Sequence, residues 1–158
     1  RSNKEKCLLN FLNPMNEDYD YIIVDSPPSL GILTFNVLTA ADFLVIPLQC
    51  EYYAFDAVSQ MMDVVAIVQR KLNPGLQIEG VLLTLFDPQE KVCLRIQESA
   101  REKFGDLLFK TVIPNRSEFK DAPSKGVPVL LRSLMSPGSV SYFDLAREIL
   151  KHRSGTPE

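Results

Sequence analysis

The chain has 158 residues, 46% of them hydrophobic and 23% charged, with a net charge of −3. This composition predicts one globular domain that buries roughly two-thirds of the surface its unfolded chain exposes, and it excludes a disordered or fibrous protein. No apolar run approaches the ~18 residues of a membrane span. The net charge is negative, whereas a typical nucleic-acid-binding domain is basic overall.

In chain order, short apolar strands alternate with amphipathic helices. Such alternation implies right-handed crossovers and a parallel sheet with helices on both faces, so we expect ligands at the carboxyl ends of the strands. Apolar spacing and turn residues predict a helix over 4–12, a strand over 21–25, a helix over 32–40, a strand over 43–47, a helix over 52–72, a strand over 78–84, a helix over 89–104, a strand over 111–113 and a helix over 139–151.

Three of the predicted helices carry an apolar stripe that we expect to face the core. The stripes are Phe55, Val58, Met62, Val65 and Leu72 in the first helix, Val92, Ile96, Ala100 and Phe104 in the second, and Tyr142, Phe143, Ala146, Ile149 and Leu150 in the third.

Residues suited to nucleophilic or metal chemistry are few. The chain has one histidine, His152, in a polar C-terminal region, which leaves little material for a Ser-His-Asp triad or a histidine metal site. Its three cysteines, Cys7, Cys50 and Cys93, are widely spaced and form no C-x-x-C pair. We therefore expect buried or half-buried thiols without a redox or zinc role.

The first residues lack the uninterrupted apolar stretch of a signal peptide, and the chain begins at Arg1 rather than Met. We therefore expect it to be a piece of a longer protein.

An acid stands at the end of the first predicted strand. Asp25 closes the apolar run and is followed by the stiff loop Ser26, Pro27 and Pro28. A carboxylate at a strand tip can hold a water on Mg²⁺ while the next loop senses a γ-phosphate, as in a Walker-B motif. The alternative is that Asp25 begins a turn and the prolines end the strand.

The wider context carries a family resemblance. The segments concerned are YDYIIVDSPPSLG at 19–31, LTAAD at 38–42, IPLQCEYYA at 46–54 and IEGVLLT at 78–84. Together with FKTVIP at 109–114 and APSKGVP at 122–128, they resemble the ParA/Soj family of chromosome- and plasmid-partition ATPases. The likeness covers about residues 5–151 in uninterrupted order.

The resemblance implies a fold and a domain organisation. The expected fold is α/β, the three-layer αβα P-loop NTPase fold with a mostly parallel sheet, without the N-terminal half that carries the P-loop strand. Residues 1–151 would be the C-terminal portion of a ParA-type ATPase domain, and residues 152–158 a polar tail.

The resemblance also implies a site for ATP and Mg²⁺. Asp25 matches the acid that contacts Mg²⁺ through water, and Ser26, Pro27 and Pro28 match the nucleotide-sensing switch. Pro114, Asn115 and Arg116 match the segment that cups adenine. The family usually has the order Pro-Arg-Asn there, whereas this chain has Pro-Asn-Arg, so the position of the base-contacting amide is left open.

The phosphate-binding loop is absent from these 158 residues. The chain has one G-x4-G spacing, Gly75 to Gly80, but Val81 and Leu82 follow it instead of Lys and Ser or Thr, so it is rejected as a phosphate cradle. The family's water-orienting acid also lies in the missing half. The chain alone is therefore expected to be inactive, whereas the complete protein would be an ATPase.

Two basic positions that the family uses for DNA contact are changed. Gln89 and Glu118 stand where the family often has arginine, and each lost phosphate contact weakens binding. A weaker DNA-binding patch is predicted from Lys91, Arg95, Lys120 and Lys125. The alternative is that these are solvated helix charges.

The function implied is a nucleotide-dependent switch that acts on DNA with a ParB-like partner, dimerises with nucleotide bound, and is cytoplasmic and nucleoid-associated. The alternative is a non-catalytic dimerisation or protein-binding module derived from such an ATPase. The related MinD branch uses a C-terminal amphipathic helix to reach membranes, and the residues after Leu150 lack an apolar face, so no membrane contact is expected.

Overall fold

The computed structural model describes residues 4–27, 29–51 and 54–154. Short 3₁₀ turns lie at Lys4–Lys6, Asn13–Met15 and Gly105–Leu107. The helices and strands are α1 (Cys7–Leu12), α2 (Ile32–Ala40), β1 (Phe43–Gln49), α3 (Ala54–Lys71), β2 (Gln77–Thr84), α4 (Lys91–Phe104), α5 (Glu118–Ser124), α6 (Val129–Arg132) and α7 (Pro137–Ser154).

The two strands form a parallel pair. The backbone N–H of Gln77 donates to the carbonyl of Asp42 at 2.9 Å, and that of Cys50 donates to Thr84 at 3.0 Å, so both strands run in the same direction. A parallel pair needs a crossover, and α3 lies between the strands in the chain, as the alternating pattern predicted. The α/β class with a parallel sheet is confirmed.

A third segment runs along the other side of β2. Parallel bridges join Val81 to Leu108 and Phe86 to Pro114. Between them the N–H of Phe109 donates to Val81 at 3.0 Å and that of Ile113 donates to Leu83 at 2.8 Å. The predicted strand over 111–113 is therefore not a regular strand, although its neighbours pair with β2 in the expected direction.

The chain divides into two compact units, Arg1–Leu44 with Asp56–Ile78, and Val45–Phe55 with Glu79–Glu158. In the first unit, α2, α3 and the approach to β2 supply a buried cluster of Leu38, Val65, Val68 and Leu76. In the second unit, Leu82, Phe109 and Ile113 form a buried cluster that Val45, Phe119, Leu145 and Ile149 cover.

The predicted strand over 21–25 was wrong as a structural element. Residues 21–27 have no regular secondary structure, and the side chains of residues 21–24 are exposed, with Ile23 94% exposed. A strand forms only when a neighbour takes up its N–H and C=O groups. Among the described residues, no strand pairs with this segment.

In two helices the buried side chains agree only in part with the predicted stripes, since Ile96 and Ala100 of α4 are buried as predicted and Ile149 of α7 packs on the second cluster. In α4 the buried residues include Cys93, whereas Val92 is 47% exposed. In α7 the residues that pack on the second cluster are Leu145 and Ile149, whereas Tyr142, Phe143 and Leu150 are exposed.

The last helix is also longer than predicted. α7 begins at Pro137 and ends at Ser154, so His152 lies in its last turn and not in a tail. Residues 155–158 of the predicted polar tail lie outside the described residues. Proline is favoured in the first turn of a helix, where its missing N–H costs nothing, so α7 can begin at Pro137, two residues before the predicted start.

Candidate functional site

The first group of predicted site residues lies in the first unit. The carboxylate of Asp25 is exposed, and the hydroxyl of Ser26 donates weakly to the carbonyl of Pro27 at 3.5 Å. Pro28 lies outside the described residues. The group precedes α2 in the chain and presents polar oxygens to solvent.

The loop that leads into α2 is tied to the helix itself. The N–H of Gly31 donates to the carbonyl of Ser29 at 3.0 Å, and the buried hydroxyl of Thr34 donates to the same carbonyl. Gly31 is the N-terminal cap residue, with extended backbone. Thr34 thus fixes the end of the loop through α2.

The oxygen atoms of this group suit a hard cation. Mg²⁺ in proteins is held by one or two carboxylates together with waters and substrate phosphates, and rarely by an all-protein cage. In the described part of the chain no three His, Cys, Asp or Glu side chains gather to hold a metal. A single exposed carboxylate, that of Asp25, is a donor of the kind that Mg²⁺ uses together with waters and phosphates.

The second group lies in the second unit, at the carboxyl end of the segment beside β2. Pro114 forms the bridge to Phe86, and the N–H of Asn115 donates to the carbonyl of Phe86 at 2.9 Å. The side chains of Asn115 and Arg116 are exposed. The carbonyl of Arg116 accepts the N–H of Phe119 at 3.3 Å. The segment is thus fixed by its backbone while its side chains face solvent.

The loop after β2 supports this segment. Leu85 has a φ of +54°, the left-handed region that a branched side chain rarely adopts. The carboxylate of Asp87 accepts the N–H of Gln89 at 2.9 Å and closes a tight turn before α4. Phe86 between them is buried and holds Asn115 through its carbonyl. Strained backbone of this kind is concentrated at ligand sites.

Two of the predicted DNA contacts share one face of α4. Lys91 and Arg95 are one turn apart, and both are exposed. The same face continues with Glu98 and Glu102, which are also exposed. The basic part of this face is therefore two residues long and is followed by two acids.

The other predicted contacts lie on or next to α5. Lys125 is exposed and follows the helix, whereas the side chain of Lys120 lies outside the described residues. Glu118, where the family often has arginine, accepts the N–H of Gly138 at 2.6 Å in the first turn of α7. An acid is favoured at a helix N-terminus, so this departure has a structural role.

Asp25, Ser26 and Pro27 thus lie in the first unit. The adenine-side residues and the basic residues lie in the second. The first two groups each lie in a loop that follows an apolar segment, whereas Lys91 and Arg95 lie on α4.

Sequence reasoning missed three polar arrangements in the second unit. Glu79 on β2 is 5% exposed at its side chain and lies 3.3 Å from His152 Nδ1 and 3.8 Å from Arg153 Nε. Glu148 accepts backbone N–H groups from Lys110 and Thr111. Their partners lie far apart in sequence, so no local pattern signals them.

The third arrangement lies around the two buried cysteines, Cys50 and Cys93. The Cys93 thiol donates to Glu90 Oε2 at 3.7 Å, and burial, followed by Cys93 and Glu90, raises the pKa of the Cys50 thiol to about 12. The wide spacing of the cysteines in the sequence gave no signal of this arrangement.

Comparison with known proteins identifies relatives of the whole chain. A family model described as an AAA domain matches residues 1–78. The sporulation initiation inhibitor protein Soj of Bacillus subtilis is 46% identical over 146 residues, which is 92% of this chain and 58% of that protein. The chromosome partitioning protein ParA of Myxococcus xanthus is 42% identical over 151 residues, 96% of this chain and 53% of that protein.

Solved structures show the same fold. Cobyrinic acid a,c-diamide synthase of Mycobacterium smegmatis, with ADP and magnesium bound, superposes with a TM-score of 0.79 at 32% identity, covering 99% of this chain and 57% of that one. The chain thus spans little more than half the length of each of these three proteins. No helix among the described residues is long and apolar enough to cross a membrane.

Proposed function

This chain is homologous, over nearly its whole length, to the ParA/Soj family of chromosome-partitioning ATPases, and we propose that it is the C-terminal part of an ATPase that partitions chromosomes or plasmids. The observation that carries the proposal is the match to Soj over 92% of the chain. A non-catalytic module is not favoured, because the relatives are partitioning proteins and the candidate site loops keep exposed polar side chains.

The proposed ligands are ATP and Mg²⁺. ADP with magnesium is bound in one solved protein of the same fold, and the exposed carboxylate of Asp25 has the oxygen donors that Mg²⁺ prefers. Asp25 would hold Mg²⁺ through a water, and Ser26, Pro27 and Pro28 would respond to the phosphates. When bound, Mg²⁺ supplies positive charge that offsets the charge of the phosphates.

The adenine side of the proposed site is the segment of Pro114, Asn115 and Arg116. Two backbone contacts to Phe86 hold this segment in place. Its exposed side chains therefore start from a fixed backbone. An amide offers one donor and one acceptor edge, which complements the adenine edge, whereas guanidinium offers donors only. We assign the base contact to Asn115 and the stacking position to Arg116.

The proposed partners follow from the relatives. We propose a ParB-like protein, a second copy of the chain joined with nucleotide bound, and non-specific DNA held weakly by Lys91, Arg95, Lys120 and Lys125, with a cytoplasmic, nucleoid-associated location. The two acids on the same face of α4 as Lys91 and Arg95 favour weak DNA contact.

The test uses a longer protein that joins this chain to the Walker-A half that the family carries. Asp25→Asn is expected to lower Mg²⁺-dependent ATP turnover by at least ~100-fold, because the metal loses its protein contact. The matched control is Asp20→Asn, an exposed aspartate in the same segment, which is expected to leave turnover unchanged. Full turnover in Asp25→Asn contradicts the assignment.

A second pair of variants tests the adenine side. Asn115→Ala is expected to raise KM for ATP about tenfold and to weaken discrimination against GTP, because a base edge loses its partner. Arg116→Ala is the comparison, and it is expected to raise KM without changing the ATP-to-GTP ratio. The reverse pattern would place the base contact at Arg116.

A further inference from the structure

The segment proposed to bind adenine is attached at its carboxyl end to the first turn of α7. The carbonyl of Arg116 accepts the N–H of Phe119 at 3.3 Å, so the segment runs directly into α5. Glu118 is the first residue of α5, and its Oε1 accepts the N–H of Gly138 at 2.6 Å. The segment is thus joined through one carboxylate to a second helix of the same unit.

We propose that Glu118 is a positioning residue for the nucleotide base, because its hydrogen bond to Gly138 fixes the backbone from which Asn115 reaches adenine. The inference rests on the proposed function and adds to it a residue that itself touches no nucleotide. Glu118 stands where the family often has arginine, and a guanidinium group cannot accept a hydrogen bond.

The first turn of α7 gives this carboxylate a donor that has no other partner in the helix. Pro137 has no N–H, so the N–H of Gly138 is the first donor of α7, and the first donors of a helix lack an intrahelical acceptor. Gly138 is buried. The next residue, Ser139, is also buried, and its N–H donates to the hydroxyl of Ser136 at 3.3 Å. Removal of the carboxylate would therefore leave a buried N–H without its acceptor.

Close packing holds α5 and α7 together at the same place. A Cβ at Gly138 would collide with Glu118 Oε1 and would lie 2.6 Å from Phe119 Cζ. Phe119 packs against the buried cluster of the second unit. Its ring meets that of Tyr142 edge-on, with the centroids 5.8 Å apart. The hydrogen bond therefore lies in a contact that leaves no space for a side chain at Gly138.

The same helix also holds the chain on the other side of the segment. Glu148 of α7 accepts the N–H groups of Lys110 and Thr111, which precede the segment, and Glu118 contacts α7 after it. These two links add to the backbone contacts with the loop after β2. A segment that is held on both sides has less freedom to lose when a ligand binds.

The test uses the longer protein that carries the Walker-A half. Glu118→Ala is expected to raise KM for ATP at least ~5-fold and to change kcat less than ~2-fold, because the base segment moves while the phosphate side is untouched. Glu118→Gln keeps an acceptor oxygen and should restore most of the affinity. Asp121→Ala, which removes the same charge from an exposed position of α5, is the matched control and should leave KM unchanged.

The outcomes distinguish the positioning role from the proposed function. If wild type hydrolyses ATP and Glu118→Ala has an unchanged KM, the positioning role is overturned and the proposed function stands. If wild type does not bind ATP, the proposed function is overturned and this role falls with it.

A double-mutant cycle separates positioning from a general loss of stability. If Glu118 acts through Asn115, Glu118→Ala should raise KM less than ~2-fold in an Asn115→Ala background. The full effect in that background overturns the proposal. Ile96→Val shortens a buried side chain of α4 and lowers stability without touching the contact, so it should leave KM unchanged.

Hydrogen exchange in the absence of nucleotide gives a readout that does not depend on turnover. The N–H of Asn115 donates to the carbonyl of Phe86 at 2.9 Å, so its exchange reports on the segment directly. Glu118→Ala is expected to speed exchange at Asn115 at least ~10-fold relative to Asp121→Ala, because one of the links that hold the segment is lost. Equal exchange at Asn115 in the two variants overturns the proposal.

Discussion

Glu148 of α7 accepts the backbone N–H of Lys110 at 2.7 Å. Its second oxygen accepts the N–H of Thr111 at 2.9 Å, so one carboxylate takes up two successive donors of the segment that pairs with β2. Leu145 and Ile149 lie on either side of Glu148 in the helix and pack against the buried cluster of the second unit. The last helix is thus held to the sheet by packing and by a charged acceptor together.

Replacing Glu148 by alanine is expected to lower the free energy of unfolding by about 1–3 kcal/mol, because two donors lose a charged acceptor. The measurement is urea denaturation followed by circular dichroism. Glu98→Ala, an exposed glutamate on α4, is the control and is expected to change stability by less than about 0.5 kcal/mol. Equal effects of the two substitutions would show that the contact contributes nothing.

The same contact predicts a pH dependence. Burial raises the pKa of Glu148, but the hydrogen bonds from the Thr111 side chain and the backbone of Lys110 and Thr111, with His152 nearby, bring it below 4.5. A pKa lowered on folding gives stability that is complete above the unfolded value and is lost as pH falls through the folded value. Wild type should therefore lose more stability than Glu148→Gln between pH 5 and pH 3, roughly the range about the ordinary pKa. Parallel pH profiles would contradict this.

The side-chain amide of Asn36 joins α1 to α2 in the first unit. Its Nδ2 donates to the carbonyls of Lys4 at 2.7 Å and Ile32 at 2.9 Å, and its Oδ1 accepts the N–H of Leu8 at 3.1 Å. Because Asn36 is buried, Asn36→Leu would remove all three of these hydrogen bonds at a site closed to water. We expect a loss of about 2–3 kcal/mol in urea denaturation. Asn10→Leu, at an exposed position of α1, is the control.

The sequence predicted those helices and strands that are determined by residues close together in the chain. The helix over 32–40 has its predicted bounds, because Gly31 precedes it and its apolar spacing continues without a break. The strands over 43–47 and 78–84 were also found, each with one or two more residues than predicted. Each contains an apolar run, and four successive residues of β2, Gly80 to Leu83, are buried, as in a strand covered on two faces.

The features that sequence reasoning missed depend on distant residues. The run at 21–25 has strand composition, yet pairing decides whether a strand forms, and no strand pairs with it in the described residues. Cys93 lies on the buried face of α4 together with Ile96 and Ala100, whereas the apolar spacing favoured Val92, which is exposed. The roles of the candidate loops stay predictions, which rest on an acid after an apolar run at Asp25 and on the family resemblance at Pro114, Asn115 and Arg116.

Gly80 on β2 lies too close to the neighbouring segment to carry a side chain. A Cβ there would lie 2.6 Å from Phe109 Cε2 and 2.9 Å from the Leu107 carbonyl oxygen. Gly80→Ala is therefore expected to cost about 1–3 kcal/mol through overpacking, measured by thermal and urea denaturation. Gly75→Ala is the matched control, since a Cβ there meets only Asn73 Oδ1, at an ordinary contact distance of 3.6 Å. If Phe109→Leu restores no stability to Gly80→Ala, the clash with the ring is not the cause.

One face of α4 carries two basic residues, Lys91 and Arg95, followed by two acids, Glu98 and Glu102. If DNA binds this face, removing the basic residues should weaken binding and removing the acids should strengthen it. Phosphate contacts release counterions, so each lost basic contact should lower the slope of log affinity against log salt by about 0.9. In the longer ATPase, Lys91→Ala with Arg95→Ala should lower that slope by about 2 and weaken binding at least ~10-fold. Arg70→Ala with Lys71→Ala, which removes the same charge from α3, is the control and should leave the slope unchanged.

Removing the two acids on this face, Glu98 and Glu102, should have the opposite effect on DNA affinity. Glu98→Gln with Glu102→Gln removes repulsion of phosphates on the same face, so binding should strengthen by a few-fold and most strongly at low salt, where screening is weak. Fluorescence anisotropy with a labelled DNA duplex, repeated over a salt series, measures the affinity of both sets of variants. If the acid variants leave affinity unchanged while the basic variants weaken it, DNA approaches only the first turn of α4. If neither pair has an effect, the DNA-binding surface does not include this face.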